Sequence, residues 1–316
     1  MTAGITACGG GGGGGDGSAT PAELAIIDTA NAETIVGEVL EVGFDSSDFG
    51  TATNGSGILA ADGGSNALVV QMAERRTIQA VGQAQPSANY GPDREDCLVS
   101  GSFTLSASLA SLDTLVRGDQ ITIVFTSCND GDGAIYNGRM RIDVQNFIGD
   151  LFADQYELDS KLTLTDLAIT EDGTTQTANG TMNVTENLLT PLLELYSATS
   201  TRLNLRSGNF SWTGRNLTQS IDEDHRGNEW LTTSTGSGSL ESSSFDGRVD
   251  YGTITPLLSI DGDYPASGVV RIDGLNGSSI VVTALNEETL QLAIDINGDT
   301  VVDETRLLDW SEVDVF

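Results

Sequence analysis

One six-residue pattern narrows the choice of folds more than anything else in this chain. A turn-forming residue is followed by glycine, then by two apolar residues set one position apart. It reads Ser-Gly-Ser-Phe-Thr-Leu from Ser100, Asn-Gly-Arg-Met-Arg-Ile from Asn137, Asn-Gly-Thr-Met-Asn-Val from Asn179, Ser-Gly-Asn-Phe-Ser-Trp from Ser207, Asp-Gly-Arg-Val-Asp-Tyr from Asp246 and Ser-Gly-Val-Val-Arg-Ile from Ser267. Alternation with period two puts the apolar side chains of such a run on one side of a strand and wets the other. The starts lie 37, 42, 28, 39 and 21 residues apart, too irregular for a solenoid. They suit a long antiparallel meander in which each second strand leaves a glycine turn with its odd positions facing one core.

Runs such as ALVVQMA, RTIQAVGQA, DQITIVFT, KLTLTDLAIT and SSIVVTALN carry the same β-type character. So long a sheet has to curl to hide its inner face and its edges. The expected fold is therefore mainly β: a long antiparallel meander curled into a barrel-like or sandwich domain, with a short N-terminal helix packed on it. The helix is expected in NAETIVGEVLEV, with Asn31 as its N-cap, Glu33 in the first turn, and Ile35, Val36, Val39 and Leu40 on one face. ELAIID, just before it, reads as a first strand or as another turn of helix. ENLLTPLLELYSATS interrupts the alternation with dense leucines and Pro191, which predicts a short helix or a loop plugging one end. A subdivision near residues 187–206 competes with a single domain over 21–316, preceded by a tether over 1–20.

Composition sorts the functions. There are 46 Asp and Glu against 14 Lys and Arg, a net charge of -32, and Lys161 is the one lysine. Such a field repels phosphate backbones and anionic headgroups, so nucleic acid is not an expected partner. No run of about 18 apolar residues is present to cross a bilayer as a helix. A membrane barrel is also not expected. Asp314 and Glu312 lie in phase with the terminal Phe316, on the side where lipid-facing residues belong.

The front of the chain points to a compartment. Ile5-Thr6-Ala7-Cys8 has the form of a lipobox: an aliphatic residue, two small residues, and a cysteine that becomes the acylated, palmitate-bearing N-terminus. Gly9 to Gly15 follow at once, a run with no side chains to bury that would hold a domain off the bilayer. MTAGIT lacks the basic and apolar regions of a signal peptide, so the true start is expected upstream of Met1. Cys97 and Cys128 are the two other cysteines. One stands just before a strand-like run and one just after the next, where neighbouring antiparallel strands bring them within bridging distance. Their disulfide would stabilise by about 3–4 kcal/mol and fits an oxidising compartment. A metal site lacks CxxC spacing, and a catalytic thiol has only His225 as a base.

No GxSxG, HExxH or phosphate-binding loop is present, and an enzyme is not expected. The sharpest local motif is IDINGDTVVDET. Asp295, Asn297, Asp299 and Asp303, with the Val301 carbonyl, have the spacing of a calcium loop. Thr300 stands where that loop wants glycine and Arg306 where it wants glutamate, which shifts the weight to a plain Asn297-Gly298 hairpin turn. Calcium is thus the one candidate cofactor. CNDGDG, with Asp130 and Asp132, and SIDGDY, with Asp261 and Asp263, read as acidic turns. His225 is expected on an exposed hairpin tip, and Trp212, Trp230 and Trp310 in the core rather than on a sugar-stacking platform.

Three stretches, TAC with its polyglycine, IIDTANAETIVGEVL, and SSIVVTALNEETLQLAIDINGDTVVDETRLLDWSEV, resemble a set of uncharacterised proteobacterial lipoproteins. The resemblance implies a β-rich fold in the cell envelope and supplies no catalytic residue. The expected protein is lipid-anchored at the outer membrane, with outer-membrane lipid as a partner through Cys8, and has a non-catalytic binding or scaffolding role. A glycan-acting hydrolase with an Asp/Glu pair and a calcium-stabilised adhesion module are the alternatives.

Overall fold

The computed structural model describes residues 22–43, 89–110, 114–129, 131, 134–150, 155–171, 173–190, 192–225, 227, 229–261 and 264–313. Cys8, the polyglycine, the strand-like runs within 67–84, Asp130, Asp132, Pro191, Asp263 and Phe316 lie outside the described residues.

Among the described residues the chain forms one antiparallel meander of fourteen strands, ordered as they come in sequence. They are β1 Asn89–Asp96, β2 Ser100–Ser108, β3 Gln120–Asn129, β4 Ile135–Asp150, β5 Gln155–Glu171, β6 Thr174–Thr190, β7 Leu193–Ser207, β8 Phe210–Asp224, β9 Leu231–Ser242, β10 Arg248–Ile260, β11 Ser267–Asp273, β12 Ser279–Ala284, β13 Thr289–Asp295 and β14 Glu304–Asp309. Helix α1 spans Ala32–Gly43 and a short α2 spans Trp310–Val313. Among the described residues the sheet does not close, and β1 and β14 stand at its edges. The alternation expected from sequence is clearest in β12 and β13, where Ile280, Val282, Leu290, Leu292 and Ile294 are buried and the residues between them face out. Each such side chain contributes about 1.5–3 kcal/mol by leaving water.

The glycine pattern turns out to bend the sheet more than it turns the chain. Only Gly208 and Gly247 sit in hairpin turns. Gly101, Gly138, Gly180 and Gly268 lie inside strands, all with positive φ, opposite shifts in register. Gly138 shows why glycine is required. Its φ is +95°, and a Cβ there would stand 2.0 Å from the carbonyl oxygen of Asp166 on β5. Asp166 is itself a left-handed bulge residue, with φ +47°. Its amide donates to Asn179 Oδ1 at 2.7 Å, and the amide of Ser127, another such residue, donates to Asn137 Oδ1 at 2.8 Å. The Asn of each Asn-Gly pair thus caps a bulge on the preceding strand. Further register shifts between β6 and β7, β8 and β9, β9 and β10, and β10 and β11 continue the row. Each bulge bends its strand and adds twist, so a row of them curls the meander. From β11 to β14 the ladders run without a shift.

Helix α1 differs from expectation in two ways. Its cap is Asp28, whose Oδ1 accepts from the amides of Ala30 and Asn31 at 2.8 and 3.0 Å. Asn31 reaches back instead, its Oδ1 accepting from the Asp28 amide at 2.9 Å, a reciprocal capping box. The helix is also buried all round from Ile35 to Leu40, beyond a single stripe. A helix apolar on every side belongs in an interior, and this one packs against β8, β9, β12 and α2. ELAIID is neither a full strand nor a helical turn. Leu24 makes one parallel bridge to Arg248, and the chain crosses the end of the sheet extended. ENLLTPLLELYSATS is neither helix nor plug. It is the hairpin of β6 and β7, paired from Glu186 opposite Tyr196 to Thr190 opposite Leu193, with a register shift between Leu188 and Thr190.

Candidate functional site

The acidic loop after β13 is built by its own carboxylates. Asp295 ends the strand, and its Oδ1 accepts from the amides of Asn297 and Gly298 at 3.2 and 2.8 Å while its Oδ2 accepts from Thr300 at 2.8 Å. Asn297, Asp299 and Asp303 each take one further loop amide. The loop runs over residues 296–303, so the two-residue Asn297-Gly298 turn does not form. Val301 is mostly exposed. Arg306 makes its own use of the last position: it donates to Glu304 at 2.7 Å, to Glu33 at 2.6 Å and to the Thr29 carbonyl at 2.6 Å. Those hydrogen bonds to Glu304 and then Glu33 push its guanidinium further above its ordinary range. It clasps β14 to the start of α1. Among the described residues, no three acidic, histidine or cysteine side chains converge as a metal-binding group.

Cys97 and Cys128 form the disulfide, with Cα atoms 5.5 Å apart. It joins the β1–β2 turn to the end of β3, and both cysteines are buried.

At the opposite end of the sheet, three turns are lashed together. His225 lies on the β8–β9 tip, as expected, and its amide donates to the Leu192 carbonyl in the β6–β7 turn at 2.8 Å. The Trp230 amide donates to Asp261 Oδ1 at 2.5 Å, and the Asp261 amide returns to the Trp230 carbonyl at 2.9 Å. The rings of His225 and Trp230 lie 4.2 Å apart, and Glu223 is 3.7 Å from His225 Nε2. Trp212 and Trp310 are core residues, but Trp230 is 49% exposed. The pairing of His225 with Trp230 was not read from IDEDHRGNEW, although both residues stand in it.

Among the described residues four carboxylates are buried: Asp119 just before β3, Asp295 at the end of β13, and Glu186 and Glu38 deeper inside. Tyr156 donates its hydroxyl to Glu186 on the inner face of β6. Burial first, then the charges of Glu186 and Glu194, push the Tyr196 phenol far up. Glu38, in the middle of α1, is 4% exposed and its Oε2 has no hydrogen-bond partner. A cavity of about 20 Å³ opens between Val42 of α1 and Met182, Ala198, Leu217 and Tyr251 of the sheet. It has room for about one water, and no carboxylate lines it. A glycoside hydrolase would present two carboxyl groups roughly 5–10 Å apart across a cleft; this cavity is no such place.

No protein family, no curated protein and no solved structure matches the chain.

Proposed function

We propose that the chain is a lipid-anchored envelope protein whose domain acts as a non-catalytic binding or scaffolding element. One observation carries the reading: the chain enters its fold at a single end of the sheet. The Arg248 amide donates to the Glu23 carbonyl at 2.9 Å, the Ala25 amide to the Arg248 carbonyl at 2.6 Å, and the Ala22 amide to Glu241 at 3.3 Å. Cys8 and its glycines precede that point by fourteen residues or fewer. Fourteen residues span at most about 50 Å, so an acylated Cys8 holds this end close to lipid. A domain stapled by Cys97–Cys128 suits the oxidising side of a membrane.

The interior supports a surface role. Helix α1 occupies the space that a curled sheet would otherwise offer a ligand, which leaves the rims and turns as contact surfaces. Expression from native upstream DNA, with a fatty-acid analogue as label, tests the anchor. The label is expected on Cys8 and absent from Cys8→Ser; an unlabelled chain beginning at Met1 overturns it. Purified protein is expected to release no reducing ends from cell-wall glycan. Release abolished by a single Asp→Asn or Glu→Gln change would install the hydrolase instead.

A further inference from the structure

The end at which the chain enters also gathers much of the exposed apolar surface. Seven connections lie there: β1–β2, β3–β4, β5–β6, β7–β8, β9–β10, β11–β12 and β13–β14. Leu98 and Val99 stand on the first of them, Phe210 closes the fourth, and Val301 and Val302 stand on the last. Ile26, in the segment crossing this end, is exposed as well. All six are at least half exposed, and Leu98 is 80% exposed. Among the described residues the other end shows Leu192, Trp230 and Leu285, each at or below half exposure, with Ile148, 60% exposed, near the end of β4.

Their spacing matters as much as their number. The three turns carrying these residues sit at the first, middle and last hairpins of a fourteen-stranded sheet. Along the sheet order several strands separate each of these turns from the next, which does not suit a single narrow groove. A broad, deformable apolar surface meets all three together. We propose that this end of the domain rests on the lipid bilayer, with Leu98, Val99, Phe210, Val301 and Val302 entering the interface as a three-point contact. The inference rests on the lipid anchor proposed above only for its occupant, since the anchor brings lipid to this end.

Charge sets which lipid is met. Asp96, Asp299 and Asp303 stand on or beside the same turns and Asp246 on the β9–β10 turn at the same end, so zwitterionic headgroups are favoured and anionic ones repel.

The test couples Cys8 chemically to a maleimide lipid in phosphatidylcholine vesicles with brominated acyl chains. Because coupling replaces cellular acylation, failure of the anchor reading and failure of this one are distinguishable. Tryptophan is introduced as Val302→Trp or Leu98→Trp at the entry end, and as Leu192→Trp at the other. Bromine is expected to quench the added tryptophan at 302 or 98 at least about threefold more strongly than at 192, as interfacial burial of some 5–10 Å requires. Two entry-end variants guard against one that misfolds. Equal quenching at both ends, stronger quenching at 192, or none at either end overturns the proposal.

Discussion

Replacing Gly138 with alanine tests whether the row of bulges holds the sheet in its curl. The left-handed backbone at φ +95° costs a Cβ-bearing residue about 1–2 kcal/mol. The new Cβ would also stand 2.0 Å from the Asp166 carbonyl, against ordinary contacts beyond 3.4 Å. A backbone oxygen cannot swing aside as a side-chain tip can. The Asp166 bulge must shift, and with it the hydrogen bond from the Asp166 amide to Asn179. The total is about 3–5 kcal/mol, in the range of the severe single substitutions. Gly173→Ala is the control. Gly173 also has positive φ, +81°, but an added Cβ there meets nothing within 4 Å. It should cost only the backbone term, about 1–2 kcal/mol. At about 2–4 °C per kcal/mol, thermal unfolding followed by circular dichroism should show Tm lowered by roughly 6–20 °C for Gly138→Ala and by roughly 2–8 °C for Gly173→Ala. Equal shifts would show that the close approach to Asp166 carries no weight, and the curvature would need another cause.

Three further outcomes follow from buried or bonded groups. Glu38→Met removes a carboxylate whose Oε2 has no partner and fills the same volume, so stability should rise by about 1–3 kcal/mol in urea unfolding; a loss would show that the carboxylate is held by contacts worth more than its burial costs. Burial pushes the phenols of Tyr196 and Tyr251 well above their ordinary 10, so the native state keeps protons that the unfolded chain releases. Their stabilising effect is therefore whole below pH 10 and is lost as pH rises above it, and an ultraviolet titration should find at least two of the six tyrosines un-ionised until the protein unfolds; all six titrating in the folded state would refute it. Asp295→Ala strips three amides of their acceptor and should cost about 2–3 kcal/mol in chelator as in calcium; a cost seen only with calcium present would make the loop a metal site.

How legible the fold was depends on what each signal controls. Alternation reports which side of a strand is buried, and it placed β2 to β6, the start of β8 and β10 to β13 because their inner faces are apolar. It could not place β9, Leu231–Ser242, whose serines, threonines and glycines show no apolar rhythm and which is held between neighbours by backbone pairing. The Asn-Gly pairs were visible and their role was not. A glycine after asparagine announces positive φ, but whether that makes a turn or a bulge depends on the facing strand, 28 residues away for Asp166 and Gly138. ENLLTPLLELYSATS misled for the reverse reason: dense leucines look helical until the partner strand supplies the register. At the candidate contact surfaces, His225 was placed at its tip, but Trp230 joins it only through Asp261 of another hairpin.

The strand least visible in sequence, β1, also carries a feature that disfavours pairing of the open edge with another chain. Asn-Tyr-Gly-Pro-Asp-Arg-Glu-Asp is a poor strand by composition, yet it is paired along β2 with Asp93 opposite Leu105 and Glu95 opposite Phe103. Directly opposed residues of an antiparallel pair share a face, so both acids lie on the face that buries Leu105 and Phe103. An incoming strand would have to cover those carboxylates with its own apolar face, which costs several kcal/mol and disfavours the pairing. Pro92 removes one donor from the same edge. Changing Asp93 and Glu95 together to valine should therefore leave the β1–β2 ladder in place and make the edge adhesive. Light scattering behind a sizing column should then show dimers or larger species that grow with concentration, where the parent chain does not. A double variant that matches the parent across the same concentrations would mean that the inward acids are not what guards the edge.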